Sequence, residues 1–177
     1  LQGLSLVDVG CGGGLLTEPM CRLGATVTGI DAGAETIDAA RHHAKAVGLD
    51  IDYRHILPED IGRKRQKFDV VLNMEVVEHV ADQALFLKTA ANLVKPGGAM
   101  ALSTLNRTLK SLALAKIGAE YVFKWVPAGT HDWRKFVRPS ELANDLELHG
   151  MKVRDLTGLG YNPVDGSWRE SRDLDIN

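Results

Sequence analysis

A chain of 177 residues, 45% hydrophobic and 25% charged, suits a single globular domain with one sizeable core. Folding at this length buries roughly 70% of the unfolded surface, so no disulfide is required. The two cysteines, Cys11 and Cys21, lack the paired spacing of a zinc site or a disulfide framework, and no apolar run approaches the ~20 residues of a spanning helix. No secretory signal is visible, and a reducing compartment is expected. The sequence opens LQGLSLVDVG, on a core strand and without Met, so further residues upstream of Leu1 are expected.

The formal net charge of −2 hides an asymmetry. Residues 1–105 carry 10 basic and 13 acidic side chains, 106–138 carry 7 and 2, and 139–177 carry 4 and 8. One basic segment is therefore set in an acidic body.

In chain order, strands are predicted over Leu4–Val9, Thr26–Asp31, Ile51–Ile56, Phe68–Met74, Ala99–Thr104 and Met151–Leu156. Helices are predicted over Leu15–Arg22, Glu35–Val47, Gln83–Val94 and Ser140–His149. Pro96-Gly97-Gly98 reads as the break between a helix and the next strand. Ser167–Ile176 reads as a late strand whose second half is missing. Strands apolar on both faces and alternating with helices imply a doubly wound, mostly parallel α/β sheet. The expected organisation is one domain, 1–177, carrying an insert at 105–138.

Asp8-Val9-Gly10-Cys11-Gly12-Gly13-Gly14 follows the first strand and opens the first helix. Glycines there let a ligand approach the backbone closely. A dinucleotide fingerprint counted from Gly10 would need its third glycine at position 15, which is Leu15, so a pyrophosphate ligand is disfavoured. The spacing resembles the DxGxGxG loop of class I methyltransferases, which implies that Asp8, Gly10, Gly12 and Gly14 cradle the methionine part of S-adenosylmethionine. The bland alternative is a tight turn without a ligand.

Asp31 ends the second strand, where a carboxylate can accept hydrogen bonds from a ribose diol. It can also serve simply as the N-cap of the helix near Glu35. Glu59 and Asp60 follow the third strand, where related enzymes contact adenine, although Asp60 can equally cap a local turn.

After the fourth strand comes Asn73-Met-Glu-Val-Val-Glu-His-Val80. It lacks the Asn/Asp-Pro-Pro-aromatic element of amino-group methyltransferases, which argues against nitrogen methylation. If Glu75–His79 forms a helical turn, Glu75, Glu78 and His79 share one face. Two carboxylates and an imidazole can hold a divalent cation, magnesium before manganese or zinc, that lowers the pKa of a bound hydroxyl. Alternatively His79 is a metal-free general base, titrating near ~6.5 when unperturbed. The plain reading makes the carboxylates a solvated helix start.

The segment 105–136 is long for a connection in a compact α/β domain. Leu109, Ile117, Tyr121, Phe123 and Trp125 give it apolar surface, and Lys116, Glu120 and Lys124 form a polar stripe at helical spacing. Basic residues beside aromatics suit docking on an anionic bilayer. An active-site lid and an RNA contact are the alternatives. His131 and Trp133 either line a substrate pocket or tether the insert.

Ser103-Thr-Leu-Asn-Arg-Thr-Leu-Lys-Ser111, Gly118-Ala-Glu-Tyr121 and Gly129-Thr-His-Asp-Trp133 closely resemble the ubiquinone-biosynthesis O-methyltransferases. Met74–Val80 and Thr157-Gly-Leu-Gly-Tyr-Asn-Pro163 are similar to the same family. The resemblance implies methylation of polyprenyl catechol and demethylubiquinol hydroxyls, with S-adenosylmethionine as donor. It implies that Gly10, Asp31 and Met74 contact the donor and that Glu75, Glu78 and His79 are metal ligands for magnesium. It also implies cap helices and a donor-contacting arginine upstream of Leu1, a place in a quinone-biosynthesis complex, and no nucleic-acid partner. The expected location is the cytoplasm at the inner membrane, or the matrix side in a eukaryote. Competing readings are another small-molecule methyltransferase and a non-catalytic donor-binding membrane adaptor.

Overall fold

A computed structural model of the chain describes residues 1–63, 66–108, 133–162 and 166–174. Its contacts divide the chain into two compact units, Leu1–Val76 with Asp82–Leu102 and Val77–Ala81 with Ser103–Asn177.

The first unit is a five-stranded sheet in the order β3-β2-β1-β4-β5. Its strands are β1 (Ser5–Val9), β2 (Thr26–Asp31), β3 (Asp52–His55), β4 (Phe68–Met74) and β5 (Val94–Ser103). β1 pairs in parallel with β2 and β4, and β2 with β3. The reason β1 is central lies in its composition. Leu6, Val7 and Val9 are each at most 1% exposed, so both faces of the strand are covered. One face joins Leu6 to Ala25, Val27 and Leu72, with Met20 and Val70 packed against them.

Between the strands run α1 (Thr17–Arg22), α2 (Ala34–Ala46), α3 (Pro58–Arg63) and α4 (Gln83–Leu93). Helix α2 buries Ile37, Ala40 and Ala44 at i, i+3 and i+7, which form a second cluster with Cys11 and Tyr53. Asp82 caps α4, its carboxylate accepting from the Leu85 N–H at 2.9 Å.

The second unit holds α5 (Pro139–Leu148) and an antiparallel pair, β6 (Gly158–Asn162) and β7 (Ser167–Ser171). Its buried positions include Phe136, Val137, Leu142 and Leu146. Pro139 opens α5, and Glu141 reaches back to the Arg138 N–H.

β2 and β4 have the bounds their sequences predict, and the four predicted helices are all present within two residues at each end. Three expectations fail. β5 begins at Val94, so Pro96-Gly97-Gly98 lies inside a strand rather than before one. Met151–Leu156 has no regular structure, and the strand lies later, at Gly158–Asn162. Pro58–Arg63 is a short helix where only a turn was expected.

At the amino ends of the strands, Asp69 Oδ2 accepts from Ser5 N (2.9 Å), Ser5 Oγ (2.6 Å) and Lys95 Nζ (2.8 Å). One carboxylate thus ties β1, β4 and β5. The Lys95 bond first, and then the two from Ser5, hold its pKa well below the usual carboxylate range. A depressed folded pKa stabilises the protein above the unfolded value of about 4 and loses that contribution as pH falls towards the folded value. Asp69→Asn is therefore expected to lower the melting temperature at pH 7, with the gap from wild type closing as the pH is taken below about 4. A constant gap across that range in melting scans would exclude the ion pair as its source.

Candidate functional site

The strand order reverses between β1 and β4, the kind of place where open α/β sheets bind ligands at the carboxyl ends of their strands. From β1 the chain enters the glycine loop, which is sewn to β2. The N–H groups of Gly10 and Cys11 both donate to the Ile30 carbonyl, at 2.8 and 3.0 Å. Gly12 N–H donates to Asp31 Oδ2 at 3.0 Å, and Gly14 N–H to the Cys11 carbonyl at 2.9 Å.

The glycines serve different ends. A Cβ at Gly10, where φ is +74°, would lie 2.4 Å from Val76 Cγ2, so the protein itself fills that space. At Gly12 and Gly13 a Cβ would meet nothing within 4 Å. The loop is open there, and a ligand can lie against its backbone. Of the predicted donor contacts, Gly12 fits best.

Asp31 is half-buried and both its oxygens are engaged. Oδ1 accepts from Gly33 N–H at 2.7 Å and from Thr36 Oγ1 at 3.3 Å, while Oδ2 holds Gly12. The N-cap of α2 is Gly33, so Asp31 is not the cap residue itself. A carboxylate offers about four lone-pair sites, and three donors leave capacity for a ribose hydroxyl. These residues fit a nucleoside donor.

Asp8 plays another part. It is 3% exposed and accepts from Thr17 Oγ1 at 2.7 Å, which anchors the loop to α1 from beneath. Burial raises its pKa, the Thr17 bond opposes the rise, and the negative charge of Asp31 adds to it. The Cys11 thiol is pushed up to about 12, by burial first and by Asp8 and Asp31 next, so it is an inert core group.

Met74 ends β4 half-buried, after Asn73, the register partner of Val9. Glu75 has φ +56°, the left-handed region that glutamate seldom adopts, and this turn brings Val76 over Gly10. Glu59 stands half-buried in the first turn of α3. Asp60 shares that turn, its N–H bonded to the Leu57 carbonyl.

The expected helical turn over Glu75–His79 is absent. Glu75 lies in a bend and Val77–His79 form a hydrogen-bonded turn, so the i, i+3, i+4 alignment does not arise. Glu75 and His79 are exposed, whereas Glu78 is 3% exposed. Glu78 Oε2 accepts from Thr104 Oγ1 at 3.1 Å, and Oε1 has no hydrogen-bond partner among the described residues. No group of three His, Cys, Asp or Glu among the described residues is placed to hold a metal ion. As they stand, these three side chains do not fit magnesium.

His131 and residues 109–132 of the 105–138 insert lie outside the described residues. At its ends, Trp133 Nε1 donates to the Thr108 carbonyl at 2.9 Å, the tether that was one of its two expected roles. No helix among the described residues is long and apolar enough to cross a membrane.

Sequence reasoning missed Thr17, Thr36, Val76 and Tyr53. Thr17 carried no signal in the sequence, because the burial that demands a partner for it is seen only in the fold. Thr17→Val leaves the buried Asp8 carboxylate without its donor, and is expected to cost on the order of 2–3 kcal/mol in urea unfolding. Thr17→Ser keeps the hydroxyl and most of the stability. Wild-type stability in Thr17→Val would mean that the bond contributes nothing, and a loss confined to Thr17→Ser would assign the effect to the methyl group.

Three comparisons bear on this site. The general methyltransferase domain family matches residues 7–102. The ubiquinone biosynthesis O-methyltransferase of Brucella anthropi is 56% identical over 99% of this chain and 71% of its own length. That of Sinorhizobium fredii is 52% identical over 100% of this chain and 71% of its own length. Among solved structures, the magnesium protoporphyrin IX methyltransferase of Synechocystis PCC 6803 with bound S-adenosylhomocysteine has a TM-score of 0.71 at 23% identity, covering 91% of this chain and 69% of its own. That likeness gives the fold, a class I methyltransferase sheet. With loop, Asp31 and sequence relatives in agreement, the chain belongs to the ubiquinone biosynthesis O-methyltransferases, which are S-adenosylmethionine-dependent enzymes.

Proposed function

We propose that the protein transfers a methyl group from S-adenosylmethionine to a catechol hydroxyl of a polyprenylated ubiquinone precursor. The observation that carries the donor half is the loop held open at Gly12 and Gly13 beside the Asp31 carboxylate. The acceptor half is supported by the relatives' name and by the absence of an amine-methylating motif after β4. When bound, S-adenosylmethionine supplies a methyl already activated on sulfur. The chain's own task is to fix the donor, align the phenol oxygen and receive its proton.

His79 follows β4 by five residues and is exposed, which supports it as the group that accepts the phenol proton. A magnesium role for Glu75, Glu78 and His79 would require the turn to rearrange around the ion. The basic, aromatic sequence of the insert supports docking on an anionic membrane, where a prenylated acceptor resides. That location favours an enzyme peripheral to the inner membrane and working beside other quinone-pathway enzymes.

Full-length protein is expected to methylate a prenylated catechol, and activity confined to amines or RNA would refute the acceptor. Asp31→Ala should weaken S-adenosylhomocysteine binding by about tenfold or more in calorimetry. His79→Ala should lower kcat by about 10²-fold while leaving that binding intact. Turnover that persists in EDTA assigns His79 as base, whereas a loss restored by magnesium assigns the 75–79 turn to the cation. Replacing Phe123 and Trp125 with Ser should abolish flotation with anionic liposomes; undiminished flotation would leave the insert as a lid.

A further inference from the structure

Tyr53 lies in β3 as the register partner of Gly29 in β2. Arg41 holds its backbone, donating to the Tyr53 carbonyl from Nε at 3.1 Å and from Nη2 at 2.8 Å. The ring packs in the core with Cys11, Ile37, Ala40 and Ala44 and is 4% exposed. Gly29 makes that placement possible, since a Cβ there would lie 2.6 Å from Tyr53 Cδ1 and 3.0 Å from Cys11 Sγ. From β3 the ring reaches the glycine loop, and its hydroxyl ends against Gly14, where a Cβ would lie 2.2 Å from the oxygen. Two glycines clear the space for one side chain.

The hydroxyl at the end of that reach has no hydrogen-bond partner among the described residues. Burial pushes its pKa up to about 12, so it stays neutral, although the Thr17 hydroxyl opposes the rise. Thr17 does not meet it in hydrogen-bonding geometry, its own proton being given to Asp8. A buried hydroxyl without a partner is unfavourable, and phenylalanine would fill the same core without that penalty. What tyrosine adds over phenylalanine is one oxygen beneath the last glycine of the loop.

We propose that Tyr53 is a positioning residue for the methyl donor, its hydroxyl propping Gly14 from below and fixing the height of the loop on which the donor lies. The proposal rests on the donor site assigned above. A loop that loses this support samples more conformations, and ordering them on binding weakens affinity. Tyr53 thus acts against the stability of the ligand-free fold and in favour of binding.

The test uses full-length protein with Tyr53→Phe, read by thermal melting without ligand and by calorimetry with S-adenosylhomocysteine. The expected melting temperature is at or above wild type, while affinity falls by about 3- to 10-fold. KM for S-adenosylmethionine should rise by the same factor, with kcat at saturating donor and KM for the acceptor holding their wild-type values. Wild-type affinity in Tyr53→Phe overturns the proposal, as does a lower melting temperature with unchanged affinity. Tyr53→Leu removes the reach of the ring as well and should bind more weakly than Tyr53→Phe; equal binding by both variants and wild type overturns it again. Failure of the wild-type protein itself to bind S-adenosylhomocysteine is a different result, which removes the donor site and this proposal together.

Discussion

The Asp31 carboxylate is the constraint on which the shape of the glycine loop depends. It stands at the end of β2 and collects Gly12 N–H on one oxygen and Gly33 N–H and Thr36 Oγ1 on the other. Two stretches of backbone that leave different strands are thereby held to one point. Hydrogen bonds to an ionised acceptor are about twice as strong as neutral ones, which suits a group that must hold a glycine-rich loop against its own entropy. In the proposed function the same charge serves the ligand. Of its three donors Thr36 is the most distant, at 3.3 Å, and its hydroxyl also donates to the Gly33 carbonyl at 2.8 Å. It can release Asp31 to a ribose hydroxyl without being left unpaired.

Around this point the fold tolerates polar groups that ordinary cores avoid. Asn73 is fully buried at the end of β4, and neither its Oδ1 nor its Nδ2 has a partner among the described residues. Asp8 is a buried carboxylate with a raised pKa, and the Tyr53 hydroxyl is buried with no partner among the described residues. Glu75 adds a backbone conformation of small but real cost. All four lie at or under the carboxyl ends of the strands. Away from them the same sheet is built of Leu6, Val7 and Val71, each fully buried. The contrast has a physical source: a surface shaped for a polar ligand must carry groups that the ligand-free protein satisfies incompletely.

That contrast also decides what could be read from the sequence. Thr26–Asp31 and Phe68–Met74 announce themselves because they are short segments rich in β-branched and apolar residues set between helical patterns. Asp31 and the glycine loop were legible because their chemistry is local to a strand end. The start of β5 was not, since Lys95-Pro96-Gly97-Gly98 has the composition of a turn, and only its place beside β4 makes it strand. The Glu75–His79 turn was misread for a similar reason: a left-handed glutamate leaves no mark in a sequence pattern. Tyr53 and Val76 were hidden because each matters through a glycine distant in the chain, Gly14 and Gly29 for the first and Gly10 for the second. A glycine in the sequence says that space is needed without saying what fills it.

The division of the chain explains how the two halves of the function are carried. The first unit contains Asp8, the glycine loop, Asp31, Tyr53 and Met74, the residues proposed for the donor. The match to methyltransferases in general ends at residue 102, where that unit also ends. Similarity to the ubiquinone-pathway enzymes continues through the remaining residues, and so does a separate set of polar contacts. Glu78 accepts from Thr104, Asn106 donates to the Leu174 carbonyl, and Arg107 pairs with Glu141 at the start of α5. These bonds bring the turn after β4, the segment after β5 and the chain's last described residues into one network. The general methyltransferase match therefore covers the unit that holds the glycine loop and Asp31, and the buried Glu78 carboxylate belongs to the other.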